Sequence, residues 1–253
     1  MPRELNEKFL KAVLEYGEEY QKKYLLHYSK SMIKNDSWEA LKFFFDRAFY
    51  QGRLDEVSRK VEDAAISVLV KHPCIEKMDY NDRYLLKVEK DLKEVIGKGK
   101  IGKGRDIQMV ISTLKYILPL PEKNLVNQSI KRIKSGCTRE HYSELMGRNG
   151  GITQVGPKIA SLYMRDVVSL YQLEKHLDDS DYLFLQPVDV WVQRVLFKLD
   201  LISEKPRSKE IEDALTKVVN VCLEKNYSPL GFNQGVWYFA ANSFDILMDL
   251  LRK

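Results

Sequence analysis

Apolar residues recur along this chain at intervals of three and four, the period of a helix face rather than the alternation of a strand. The first stripe runs through Leu5, Phe9, Val13, Tyr16, Tyr20 and Tyr24 and predicts a helix over 4–28. Asp36 and Ser37 offer acceptors for the unpaired N–H groups of a helix start, so a second helix is expected to carry Trp38, Leu41, Phe44 and Phe45. Further helical periods lie near 55–71, 80–96, 105–117, 122–134, 157–175, 189–200, 208–225 and 233–252. Breakers separate them: His72-Pro73, the glycine-rich 97–104, Pro119 and Pro121, Gly150-Gly151, Pro187, Pro206 and Pro229. No alternating segment exceeds a few residues, and no fixed-period repeat is present. The predicted class is all-α, with short connections between packed, mostly antiparallel helices.

Composition narrows this picture. The chain has 253 residues, enough for one or two compact domains, and its 44% hydrophobic content argues against disorder. The net charge of +5 permits an anionic partner without requiring one. Cys74, Cys137 and Cys222 are far apart and form no CxxC pair, which disfavours a disulfide framework, a structural zinc site or an iron–sulfur cluster. The four histidines show no ligand spacing and read as structural or solvated. No apolar run suggests a membrane span, and the charged, periodic start MPRELNEKFLKAV is unlike a signal peptide. The expectation is a reduced, intracellular protein of cytoplasm or nucleoid, not secreted, and monomeric.

One motif is a decoy. Gly97-Lys98-Gly99-Lys100-Ile101-Gly102-Lys103-Gly104 nearly fits a phosphate-binding loop, but Gly104 stands where Ser or Thr would hold magnesium. The segment before it also reads as a helix, where such a loop follows a strand. A basic surface loop is the plainer reading, and Lys98, Lys100, Lys103 and Arg105 would suit a phosphate backbone.

The chemistry concentrates in residues 141–166, where a short helix, a glycine-rich turn and a second helix follow in order. Gly156 removes a Cβ where a backbone approaches something closely, and Pro157 suits the first helical position. The free N–H groups of that first turn, at the positive end of the helix dipole, make an anion site that would take a DNA phosphate without reading bases. Lys158 follows; a lysine at a helix start is usually a solvated charge. Further on, Asp189 opens the helix VWVQRVLFKL, so it reads as an N-cap, a catalytic carboxylate, or both.

The stretch Thr153-Gln154-Val155-Gly156-Pro157-Lys158-Ile159-Ala160 resembles the hairpin of the helix-hairpin-helix DNA glycosylases, the HhH-GPD superfamily, with Gln154 where that hairpin has its first glycine. Gln186-Pro187-Val188-Asp189 resembles the superfamily's Pro-Val-Asp segment. The gap of 31 positions (158 to 189) is similar to that of the archaeal 8-oxoguanine glycosylase branch. Ala48-Phe49-Tyr50-Gln51-Gly52-Arg53 is similar to the loop that fills the space left by an extruded base. Asn233-Gln234-Gly235-Val236-Trp237 resembles that branch's base-binding helix, with Asn233 in place of an acidic residue. The resemblance spans roughly 38–245. It implies catalysis by Lys158 and Asp189, and DNA contacts from Gln51, Arg53, Gln154, Gly156 and Ile159. It further implies a base pocket with Asn233 and Trp237, and a monovalent cation (K+ or Na+) on the carbonyls of Gly150, Ile152 and Val155. No other cofactor is implied, and no iron–sulfur cluster. Gln51 also reads as an ordinary turn residue, and Trp237 as part of the apolar stripe Val236, Phe239, Ala240 and Phe244.

These residue types suit base excision. A duplex hides the glycosidic carbon, so the damaged base must leave the stack. A neutral lysine amine then attacks the sugar, and desolvation of Lys158 would favour that form. Asp189 would stabilise the positive charge that develops on the sugar and shuttle protons. The expected architecture is two helical subdomains with the hairpin and an active-site cleft between them. One spans 38–157, and the other joins 1–37 to 158–253. The expected activity is a DNA glycosylase with AP-lyase action on double-stranded DNA bearing a damaged base, 8-oxoguanine foremost. The alternatives are a non-catalytic hairpin DNA-binding protein, which would bind DNA without nicking it, and an all-helical protein scaffold.

Overall fold

The computed structural model describes residues 7–50, 55–72, 82–99 and 101–252. In chain order the helices are α1 (Glu7–Tyr24), α2 (Lys30–Asn35), α3 (Ser37–Ala48), α4 (Asp55–Leu69), α5 (Asp82–Leu92), α6 (Gly104–Ile117), α7 (Leu125–Lys134), α8 (Thr138–Leu145), α9 (Pro157–Tyr171), α10 (Val190–Lys198), α11 (Ser208–Glu224) and α12 (Pro229–Arg252). A π-helical turn (Lys93–Lys98) and 3-10 turns (Gly147–Asn149, Glu174–His176, Asp179–Leu185) supplement them. The described residues contain no strand, only an isolated bridge between Met146 and Ile152. The fold class is all-α.

Side-chain caps explain several helix starts. Asp36 opens α3 by accepting the N–H groups of Trp38 (2.8 Å) and Glu39 (3.1 Å). Asn124 opens α7 by accepting from Asn127 (2.8 Å), while its amide donates to the Ile33 carbonyl (2.9 Å) and ties α7 to α2. The sequence reading departs from the structure at several boundaries, two of them instructive. The first helix stops at Tyr24, and a separate α2 follows, capped by Ser29. Pro229 opens α12 instead of preceding it, because a proline at the first helical position has no N–H to leave unpaired. The basic loop before α6 follows a π-helical turn, not a strand, and the Asp106 carboxylate accepts the Lys103 N–H at 2.7 Å.

The chain divides into two compact units, Ser29–His176 and Met1–Tyr28 with Leu177–Lys253. These boundaries differ from the expected 37/38 and 157/158. α2 stays with the larger unit because Asn124 holds it and Tyr171 donates to the Lys30 carbonyl (2.8 Å). α9 stays there because it packs on α3, α7 and α8.

In the larger unit, Phe44 and Tyr163 meet edge to face (5.2 Å between ring centroids) inside a core that also holds Phe43, Val110, Leu114, Ile130, Ile133 and Val167. Charge is buried with them. Asp166 accepts from Arg47 Nε (3.0 Å) on one oxygen and from Arg165 Nε (3.1 Å) and Nη2 (2.9 Å) on the other. The Arg47 guanidinium also lies 3.6 Å from the Phe43 ring centre. Such a group stands in a core because its hydrogen bonds are made, and Arg47 adds bonds to the Phe43 carbonyl (2.9 Å) and to Asp46 (3.2 Å).

The smaller unit is built on the crossing of α1 and α12. A Cβ on Gly235 would lie 1.8 Å from the Val13 carbonyl oxygen, and one on Gly17 would lie 2.3 Å from that of Gly231. Only glycine allows the two backbones this close. Phe9, Val13, Val195, Leu199, Val218, Phe232 and Phe239 fill the core around the crossing.

Candidate functional site

The larger unit contributes the turn between α8 and α9. Its anchor is a buried polar trio on three helices: His141 Nε2 lies 2.8 Å from Ser129 Oγ, and the Tyr163 hydroxyl lies 3.0 Å from the same oxygen. Ser129 Oγ also lies 2.8 Å from the Leu125 carbonyl, and His141 Nδ1 lies 3.6 Å from a Glu144 carboxylate oxygen. Burial holds the His141 pKa below the usual histidine value, against the opposing pull of Glu144. This assigns His141 a structural role.

Backbone bonds then close the turn. The Gly147 N–H donates to the Val155 carbonyl (3.0 Å), Ile152 to Leu145 (3.0 Å) and Val155 to Ile152 (3.0 Å), while Ser112 of α6 accepts the Thr153 N–H at 2.9 Å. Ile152 and Val155 bury their side chains beneath it. Gly151 is needed for close approach, since a Cβ there would meet the Glu144 carbonyl oxygen at 2.1 Å. Gln154 is exposed and adopts a left-handed φ of 71°, the conformation in which a glycine is favoured. Two carbonyls expected to hold a monovalent cation, those of Ile152 and Val155, are committed to these hydrogen bonds. Each retains one lone pair.

Gly156 is the N-cap of α9 and supplies no side-chain acceptor. Unlike Gly151, it is not demanded by the fold: a Cβ added to it would meet nothing within 4 Å. Pro157 occupies the first helical position, and Lys158 the second, where it is half-buried. Among the described residues no carboxylate pairs with Lys158. Ile159 is 4% exposed, so its side chain belongs to the core and only its backbone N–H can serve the helix terminus. Gln51 and Arg53 lie outside the described residues.

The smaller unit contributes Asp189. It is the N-cap of α10, with Oδ1 accepting from Trp191 N–H (2.9 Å) and Val192 N–H (3.0 Å). Its other oxygen, Oδ2, accepts the indole N–H of Trp237 at 2.7 Å. Asn233, 2% exposed, donates from Nδ2 to the Pro187 carbonyl (3.4 Å), and Gln186 Nε2 reaches the Pro229 carbonyl (3.5 Å). Positions 229, 233 and 237 are successive turns of one face of α12, so that face holds residues 186–189 along its length. The cavity beside Asn233, lined by Gln186, Val192, Leu196, Leu215 and Phe232, measures about 10 Å³. That is room for about one water molecule, far from the size of a base.

The structure thus brings Asp189, Asn233 and Trp237 together in the smaller unit, and Gln154, Gly156, Lys158 and Ile159 together in the larger. The Asp189–Trp237 contact was missed by sequence reasoning. Its one signal was the four-residue spacing of Asn233 and Trp237, which puts them on one helix face but does not say what that face meets. Among the described residues no group of three or more His, Cys, Asp or Glu side chains is arranged to hold a metal ion, and no helix is long and apolar enough to cross a membrane. Cys74 lies outside the described residues. No protein-family model, curated protein or solved structure matches the chain.

Proposed function

We propose that the chain is a base-excision DNA glycosylase with AP-lyase activity, acting on duplex DNA with an extruded damaged base, 8-oxoguanine foremost. The observation that carries this reading is the start of α9. Lys158 sits half-buried and, among the described residues, without a carboxylate partner, beside a glycine whose added Cβ would meet nothing described within 4 Å. An uncapped helix N-terminus of this kind accepts a phosphate oxygen through its free N–H groups. The turn behind it is closed by backbone hydrogen bonds and by Ser112, which suits precise placement of a DNA backbone. The helix-hairpin-helix motif and a cleft joining Lys158 to Asp189 are parts of the same proposal.

In this reaction the Lys158 Nζ lone pair forms a bond to the sugar C1′. The C1′–base bond breaks, and the base leaves with the electron pair and takes up a proton. The sugar ring then opens as its C1′–O4′ bond breaks, O4′ is protonated, and nitrogen loses a proton to leave a Schiff base. Abstraction of a C2′ proton expels the 3′ phosphate by β-elimination and nicks the strand. Asp189, fixed by three N–H donors, would stabilise the cationic sugar and relay protons.

The test is borohydride trapping with duplexes carrying one abasic site or one 8-oxoguanine. Wild type is expected to form a covalent adduct, and Lys158→Gln none, with unchanged melting behaviour. Tight, salt-sensitive DNA binding without any adduct would reassign the chain as a binding module. Equal trapping by Lys158→Gln would refute the lysine as nucleophile.

A further inference from the structure

We propose that Trp237 is a positioning residue: its indole N–H aims the Asp189 carboxylate. This rests on the glycosylase reading, but the geometry that supports it lies wholly within the smaller unit. An aspartate that only caps a helix is held through one oxygen. Here Oδ1 takes both backbone N–H groups, and turning the carboxylate about Cβ–Cγ would carry both oxygens away together. The Trp237 N–H at 2.7 Å from Oδ2 adds a restraint at the second oxygen, so that rotation must also break this short bond. One Oδ2 lone pair remains in a fixed direction, as a group that must face a developing sugar cation requires.

Trp237 is itself held. Tyr20 and Tyr24 of α1 meet its ring at 5.7 Å each, with interplanar angles of 89° and 76°. They reach it because the α1–α12 crossing is so close, and Gly235, two residues from Trp237, permits that approach. One turn earlier, Asn233 ties the same helix face to the Pro187 carbonyl. Trp237 is half-buried, and a backbone carbonyl as partner for its N–H would satisfy packing alone. Its use on the one carboxylate of the Pro-Val-Asp segment gives it a consequence beyond packing. The expectation of Trp237 in a base pocket concerns its ring; the positioning role belongs to its nitrogen.

The test uses the full chain and a duplex with an abasic site, which has no base to stack on Trp237. Single-turnover trapping rates would be measured for wild type, Trp237→Phe, Asp189→Asn and the double variant. A fifth protein would carry benzothienylalanine at 237, which replaces N–H by sulfur at nearly constant shape and remains usable should Trp237→Phe fold poorly. Loss of the N–H is expected to slow trapping about tenfold or more with DNA affinity unchanged. In the Asp189→Asn background the loss should have no further effect, since Trp237 acts through that carboxylate. Wild-type trapping rates in the benzothienylalanine protein, or a slowing that multiplies in full with Asp189→Asn, would overturn the positioning role and leave the glycosylase reading standing. Absence of any wild-type adduct would overturn both.

Discussion

Glu62 offers a test of the buried charge in the larger unit that needs no substrate. It lies on α4 and is 8% exposed. Burial, then Asp46 and Asp63, push its carboxyl from 4.5 up to about 8, against the opposing pull of Arg47 and Arg59. In the unfolded chain Glu62 ionises near 4.5, whereas the folded protein keeps the proton until about pH 8. Between those values the native state binds more protons than the unfolded state, so stability falls as pH rises and levels off above pH 8. At about 1.4 kcal/mol per pH unit for one proton, this group alone should cost roughly 3 to 4 kcal/mol between pH 5 and pH 8. Glu62→Gln has the shape of the protonated acid and no charge to bury. Urea denaturation of both proteins at pH 5, 6.5, 8 and 9 isolates the effect, since titrating groups not coupled to Glu62 cancel in the difference. The two should have similar stability at pH 5, and the variant should be the more stable at pH 8. Parallel stability curves across this range would refute the argument.

Two further substitutions separate glycines required by the fold from one that is not. Gly235→Ala drives a Cβ into the Val13 carbonyl at the α1–α12 crossing, and should destabilise the smaller unit by about 3 kcal/mol or more, read by denaturation and by loss of amide-exchange protection in α1. A variant as stable as wild type would mean the helices do not cross at that distance. Gly156→Ala meets open space at an extended backbone position, so its cost should stay below about 1 kcal/mol. If a DNA phosphate approaches there, the same change should weaken duplex binding about tenfold, and unchanged affinity in a fluorescence-anisotropy titration would remove the hairpin from the DNA contact.

Much of the fold was legible in the residues because its causes are local. The three-and-four spacing placed most helices within a few residues of their observed limits. Asp36 and Asp189 could be read as caps, since a cap needs only one side chain and the next turn of its own helix. The turn at 147–157 was legible for a related reason. Gln154 stands in the left-handed conformation of a missing glycine, and Pro157 takes the one helical position that suits it.

What lay beyond the sequence was every pairing between distant segments. Nothing in the spacing of Asn233 and Trp237 could say that their helix face holds residues 186–189, or that an indole expected to face a base would give its N–H to Asp189. The purpose of each glycine was equally hidden: Gly151 and Gly235 admit another backbone, while Gly156 admits nothing from its own chain. The chain by itself determined which stretches become helices and where they start, because those energies arise among residues a few positions apart. Tertiary structure alone decided which faces met and which polar groups found partners, because those energies arise between segments that share no periodicity.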